Sequence, residues 1–202
     1  SNSLMNIYLI ESQDRLLAAM SEKSSASVLK YLRTMGVNVL LNKRVTDYKD
    51  NTVYMNDGST IATRTFIWVT GVTAQKIDKM PTESIGRGGR FLVNEFNQVQ
   101  GMKDVYSIGD QWLMPHVDPN WQSGHPQLAQ VAIQQGNLLA KNLKRLDKGK
   151  EMKAFRYKNL GTMATVGRNK AVAEFAGIKM GGFFAWLMWL VVHLRSILGV
   201  KN

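Results

Sequence analysis

Gln130 and Gln134 lie four residues apart in a stretch of helical periodicity. That spacing puts both amides on one helix face, near its start. Neutral amides donate and accept hydrogen bonds, so such a pair can hold a ligand carbonyl without adding charge. A polar stripe on a surface helix would carry the same two residues. Asp110 follows Gly109 at the end of an apolar run. A carboxylate there can accept hydrogen bonds from ligand hydroxyls, or it can cap a helix or shape a turn. Glu11 ends the run Ile7–Ile10, where an acidic residue can bind sugar hydroxyls or simply face water. Gly71 closes another apolar run, a place where a missing Cβ admits either a ligand or an ordinary turn. His116, His125 and His193 are too scattered to predict a metal site. There is no Ser/His/Asp arrangement and no cysteine, so thiolate chemistry and disulfides are excluded and no residue is assigned a catalytic role.

Several elements must position these groups. Ile7–Ile10 is a strand, residues 21–35 a helix closed by Gly36, and residues 37–40 a second strand. A meander follows, with strands over 45–49, 52–55 and 59–62 and turns at Asp50-Asn51 and Asp57-Gly58. Phe66–Val69 and Asp104–Ile108 are predicted as further strands, and Phe91–Val93 as a short one. Residues 74–90, polar and glycine-rich, form a linker, and 111–126 a proline-rich loop. Residues 127–146 form a long helix. With 202 residues, 45% hydrophobic and 20% charged, the composition is globular.

The net charge is +11, unevenly spread. Residues 141–202 hold 13 Lys and Arg against 3 Asp and Glu, while the first 140 residues are almost balanced. Such asymmetry implies an anionic partner, nucleic acid or membrane. Ser1-Asn2-Ser3 has no basic, apolar signal character. An apolar strand beginning so soon after it suggests a piece of a longer protein.

Three motifs carry a family resemblance. Phe66-Ile67-Trp68-Val69-Thr70-Gly71-Val72 is similar to the strand and glycine turn of two-dinucleotide-binding-domain flavoproteins. Val105-Tyr106-Ser107-Ile108-Gly109-Asp110 is similar to their second FAD motif. Ala129-Gln130-Val131-Ala132-Ile133-Gln134-Gln135-Gly136 resembles the quinone-site helix of the type II NADH:quinone oxidoreductases. The resemblance spans nearly all of residues 4–202. Thr70 stands where alanine is commoner, Gln111-Trp112 replaces a smaller pair, and no G-x-G-x-x-G occurs. The family carries two such loops, both upstream of the matched region.

The resemblance implies an α/β fold, a partial two-dinucleotide-binding-domain flavoprotein with a C-terminal amphipathic helical membrane-binding region. It divides the chain into 4–85, the remaining NADH-binding part, 86–150, the C-terminal part of the FAD domain, and 151–202, the membrane-association region. FAD and NADH are the implied cofactors, with Glu11, Thr70, Gly71, Val72, Gly109, Asp110, Ala129 and Gln130 binding them. Gln130 and Gln134 would contact the quinone. The implied activity is NADH oxidation through FAD to a membrane quinone, without proton pumping. A related FAD-dependent quinone reductase and a non-catalytic membrane or protein-interaction fragment are the alternatives. With both phosphate-cradling loops missing, the chain alone is expected to have little or no dehydrogenase activity.

The segment Gly181–Val200 is rich in apolar and aromatic residues, but its uninterrupted apolar run is about half the roughly 20 residues a spanning helix needs. It is expected to lie in the membrane interface through Phe183, Phe184, Trp186 and Trp189, with Arg195 meeting anionic head groups. A core or dimer-interface helix would show the same pattern. Its aromatics are bunched with aliphatics rather than interleaved with cations, which argues against nucleic acid. The expected location is peripheral, on the cytoplasmic face. Unpaired strand edges would favour homo-oligomers.

Overall fold

The computed structural model describes residues 5–198, with side chains as far as Arg195. Leu4, where the nucleotide-binding part was expected to begin, and Gly199-Val200, which end the apolar segment, lie outside the described residues. In chain order the elements are β1 (Ile7–Ile10), α1 (Glu22–Thr34), β2 (Val37–Leu40), β3 (Val45–Lys49), β4 (Thr52–Met55), β5 (Thr60–Ala62), β6 (Phe91–Leu92), β7 (Trp112–Leu113), α2 (Ala129–Leu146), β8 (Thr162–Thr165), β9 (Ala171–Phe175), β10 (Ile178–Gly181) and α3 (Gly182–Leu198). They form two compact units, Ser1–Trp68 with Leu160–Asn202, and Val69–Asn159. Compactness thus divides the chain after residues 68 and 159, whereas the motifs place boundaries after 85 and 150.

In the first unit, β1 and β2 pair in parallel, Ile7 opposite Val37 and Ile10 opposite Leu40, with α1 as the crossover. Ser21 starts α1 by accepting from the Ser24 amide, and Gly36 leaves it at φ 82°. The meander β3-β4-β5 is antiparallel. Asp50 and Asn51 both sit at positive φ, as a two-residue hairpin turn requires. A second antiparallel sheet, β8-β9-β10, lies in a stretch for which the sequence predicts no strand. Val166 and Val172 from this sheet region share a core with Leu16, Met20 and Val28. Glu174 on β9 accepts from the Ser21 amide at 2.9 Å and from Ser24 Oγ at 2.6 Å, so a carboxylate sits at the positive start of α1. Those hydroxyls hold Glu174 below the usual carboxylate range.

Phe66–Val69 is not a strand. No neighbouring segment pairs with it among the described residues, and Ile67 and Val69 are 74% and 85% exposed. An aromatic ladder organises it instead, with Tyr48 stacked on Phe66 at 4.8 Å and Phe66 edge-on to Trp68 at 5.8 Å. In α3, Ala185 is buried and Trp186 and Met188 pack on Ala171 and Ala173. Phe183, Phe184, Leu187, Val191 and Leu194 are exposed along one stripe of the same helix. Among the described residues no helix is long and apolar enough to cross a membrane.

The second unit packs Phe91, Val93, Val99, Trp112, Met114, Val131 and Phe155 into one core. β6 and β7 pair in parallel for two residues each. Asp104–Ile108, expected as a strand, makes one isolated bridge, Tyr106 to Gln98, and otherwise loops past Asn97 and Val99. Residues 111–126, expected as a loop, hold β7 and a short 3-10 turn at Pro119–Trp121.

Candidate functional site

Gly109 and Asp110 lie where the Gly109–Gln111 turn meets the start of α2, the helix that carries Gln130 and, one turn on, Gln134. Gly109 adopts φ 68°, a left-handed conformation that costs glycine little. A Cβ there would lie 3.8 Å from the Ala132 methyl, so the turn rests closely on the helix. Gly109 N donates to Gln135 Oε1 at 3.0 Å. Gln135 is completely buried and its Nε2 finds no partner. The Gln127 amide reaches the Asp110 carbonyl at 3.2 Å. Asp110 is exposed, and Leu128 gives α2 no side-chain cap. The first turn of α2 holds no acidic side chain of its own, and it presents the positive end of the helix beside the Asp110 turn. Arg90 is buried within electrostatic range of Asp110. Burial and Arg87 push its guanidinium below its ordinary value, and Asp110 pulls it back up.

Thr70, Gly71 and Val72 are exposed, with Gly71 at φ 71° and open space around its missing Cβ. Four residues on, Gln75 and Gln111 exchange two hydrogen bonds, Gln75 N to Oε1 at 2.6 Å and Nε2 to Gln75 O at 3.0 Å. That pairing joins the Gly71 segment to the Asp110 turn. Glu11 belongs to the other unit, at the end of β1, where Oε1 accepts from the Gln13 amide at 2.8 Å. Phe183, Phe184, Trp186, Trp189 and Arg195 also lie there, on α3. Trp186 faces the sheet core, and Trp189 is half-buried against His193 at 4.1 Å.

Gln134 is engaged. Its Nε2 donates to Lys158 O at 2.9 Å and its Oε1 accepts from Lys158 N at 3.0 Å. Two turns further along α2, buried Asn142 makes the same bidentate clasp on the Lys153 backbone, at 2.8 and 2.9 Å. The two amides hold residues 153–158 against the helix.

Sequence reasoning also passed over His125. Its ring is buried, stacked on Trp112 at 5.2 Å and Trp121 at 6.0 Å, with Phe155 and Tyr157 edge-on. Nε2 lies 3.3 Å from Asp118 Oδ2, while Nδ1 and the Tyr157 hydroxyl are buried without partners. The signal lay in the aromatic spacing around it, with Asp118 only seven residues away. Burial holds His125 below its ordinary pKa against the opposing pull of Asp118. The unfolded chain therefore takes up a proton near pH 6.5 that the folded chain refuses, and stability falls as pH drops below that value. We expect the second unit's denaturation midpoint to fall between about pH 7 and about pH 5. His125→Phe should flatten that dependence, and an equally steep profile in the variant would refute the assignment.

The chain resembles known proteins over nearly its whole length. Residues 2–136 match the pyridine nucleotide-disulphide oxidoreductases, and residues 159–202 match the NDH2 C-terminal domain. The type II NADH:quinone oxidoreductase NdhA of Mycobacterium tuberculosis is 34% identical over 97% of this chain and 43% of its own length. The internal alternative NAD(P)H-ubiquinone oxidoreductase A1 of Arabidopsis thaliana is 29% identical over 98% of this chain and 41% of its own. This chain thus spans about two fifths of the length of those relatives. Among solved structures, NDH2 from Plasmodium falciparum in complex with NADH superposes with a TM-score of 0.83 at 16% identity, over 98% of this chain and 55% of that one. The sulfide:quinone oxidoreductase of Aquifex aeolicus gives 0.72 at 15%, over 94% and 48%. These two likenesses show a shared α/β fold. The chain belongs to the pyridine nucleotide-disulphide oxidoreductase family.

Proposed function

We propose that this chain works in a flavoprotein that oxidises NADH and passes the electrons through FAD to a membrane quinone, without pumping protons. One observation carries the reading: the Gly109–Asp110 turn seated on the uncapped start of α2. An exposed carboxylate, a glycine backbone and the positive end of a helix that no side chain caps suit a ligand bearing hydroxyls and a flat polar ring. Gly109, Asp110, Ala129 and Gln130 would hold FAD, which supplies hydride acceptance and electron transfer. Thr70, Gly71 and Val72 would border the nicotinamide, and Glu11 the adenosine ribose of NADH. Gln130 would meet the quinone directly, and Gln134 would shape that site through its clasp on Lys158. A charged nucleophile is absent from this proposal because the cofactor carries the chemistry.

In the same reading the protein is peripheral, on the cytoplasmic face of an anionic membrane, and self-associates. The exposed stripe of α3, with Phe183, Phe184 and the neighbouring Arg195, supports the attachment. Trp189 would add an interfacial ring, while Trp186 contributes by anchoring the helix to its sheet.

Flavin binding tests the site. The chain is mixed with FAD, freed of excess and read by its visible absorption. We expect measurable uptake, and Asp110→Ala should weaken it by roughly 10- to 100-fold, the loss of charge-assisted hydrogen bonds to ligand hydroxyls. A folded chain that takes up no flavin, or an Asp110→Ala chain that binds it equally well, would contradict the assignment.

A further inference from the structure

The basic excess of this chain is concentrated in residues 141–158, where eight Lys and Arg face two Asp and Glu. Lys141, Lys144 and Arg145 follow one another at helical i, i+3, i+4 spacing on the last turns of α2, and Lys148 continues just past its end. The clasps from Gln134 and Asn142 lay residues 153–158 along this helix. Lys141 and Arg156 consequently border a groove of about 370 Å³, with Gln134, Asn137, Leu138, Ala154 and Phe155 lining the rest. Lys141, Lys144, Lys148 and Arg156 are exposed, and among the described residues no carboxylate forms an ion pair with them.

We propose that this basic shelf is a docking surface for the anionic head groups of phospholipids, separate from the apolar stripe of α3. The inference rests on the membrane and quinone reading above, and it adds a second contact, made by the unit that carries Gln130 and Gln134. Charge complementarity selects the occupant. The guanidinium of Arg156 can take a phosphate in a bidentate manner, with Lys141 adding a point charge across the groove. Unpaired cations near a membrane gain from its negative surface potential. Single-stranded nucleic acid would need exposed rings on which to stack, and the segment's two aromatics do not offer them: Phe155 is buried and Tyr157 is half-buried against Trp121 and His125. The groove ends at Gln134, so lipid bound at the shelf would lie beside the proposed quinone helix. A lipid-soluble substrate would then reach that helix from the bilayer rather than through water.

The test is co-sedimentation of the whole chain with vesicles of phosphatidylcholine alone and of phosphatidylcholine mixed with phosphatidylglycerol, at low and at physiological salt. The Lys141→Gln/Arg156→Gln double variant should bind the anionic vesicles roughly 30-fold more weakly, the loss expected for two cations near a charged surface. Its binding to neutral vesicles should not change, and its salt dependence should be shallower. Lys144→Gln/Lys148→Gln should behave similarly. Phe184→Ser/Val191→Ser, on α3, should instead weaken binding to both vesicle types. If that α3 variant binds like the parent while the shelf variants lose anionic binding, the α3 reading fails and the shelf stands. Unchanged binding of the folded shelf variants to anionic vesicles, or an equal loss on both vesicle types, overturns the proposal. So does single-stranded RNA that binds through these residues more tightly than the anionic vesicles do.

Discussion

Trp112→Ala is expected to lower the unfolding free energy of the second unit by about 3–5 kcal/mol, the cost of emptying a large aromatic site in a packed core. Trp112 is 2% exposed and belongs to the cluster that also holds Phe91, Met114, Val131 and Phe155. It stacks on His125 with the planes 27° apart and meets Phe155 edge-on at 5.7 Å. Its removal therefore deletes apolar burial and two ring contacts together, and it leaves His125 with one stacked neighbour, Trp121. The unfilled space would sit beside an unpartnered imidazole nitrogen, so water entering it could soften the loss. Guanidinium denaturation followed by far-UV circular dichroism reads the effect. A change below about 1 kcal/mol would mean that the aromatic cluster is not packed as described.

The clasp provides the second large effect. The amides of Lys153 and Lys158 each donate to a single side-chain oxygen, Asn142 Oδ1 at 2.9 Å and Gln134 Oε1 at 3.0 Å. Asn142→Ala removes two hydrogen bonds from a buried side chain and should cost about 1–3 kcal/mol. Gln134→Ala removes two at a more exposed place and should cost less. In the double variant, residues 153–158 lose both polar attachments to α2 and keep Phe155 and Tyr157 as their apolar ones. Amide exchange at Lys153 and Lys158 should accelerate by roughly 10- to 100-fold, while amides in the centre of α2 stay protected. Unaltered exchange at those two positions would show that the clasps do not hold the segment.

Legibility from sequence followed the range of the interaction involved. The β1-α1-β2 unit and the turns at Asp50-Asn51 and Asp57-Gly58 obey local rules, so residue type sufficed. Phe66–Val69 has strand composition, yet a strand needs a partner, and partnership is not local. Thr162–Thr165 and Ala171–Phe175 have small residues and little alternation, so the sheet they build with β10 was invisible until its antiparallel register could be seen. At the site, the four-residue spacing placed Gln130 and Gln134 on α2, but could not show the Lys158 backbone lying against Gln134. Gly109 and Asp110 were legible as a turn after an apolar run. The buried Gln135 amide beneath them was not, because a glutamine in a helical pattern reads as surface. His125 reads like the other scattered histidines because its surroundings come from residues up to 32 positions away, at Tyr157.

Glu174 at the start of α1 has a consequence for the order in which this protein can form during synthesis. The helix beginning at Glu22 has its capping carboxylate on β9, and its core partners Val166 and Val172 arrive equally late. All of Val69–Asn159 leaves the ribosome before them. At elongation rates of about 5–20 residues per second, the nascent α1 waits roughly 7–30 s for its cap. The inserted unit has its whole core in hand by Phe155 and can condense first. Until translation passes Glu174, Leu16, Met20 and Val28 lack the valines that cover them, so the first unit keeps apolar surface exposed to water.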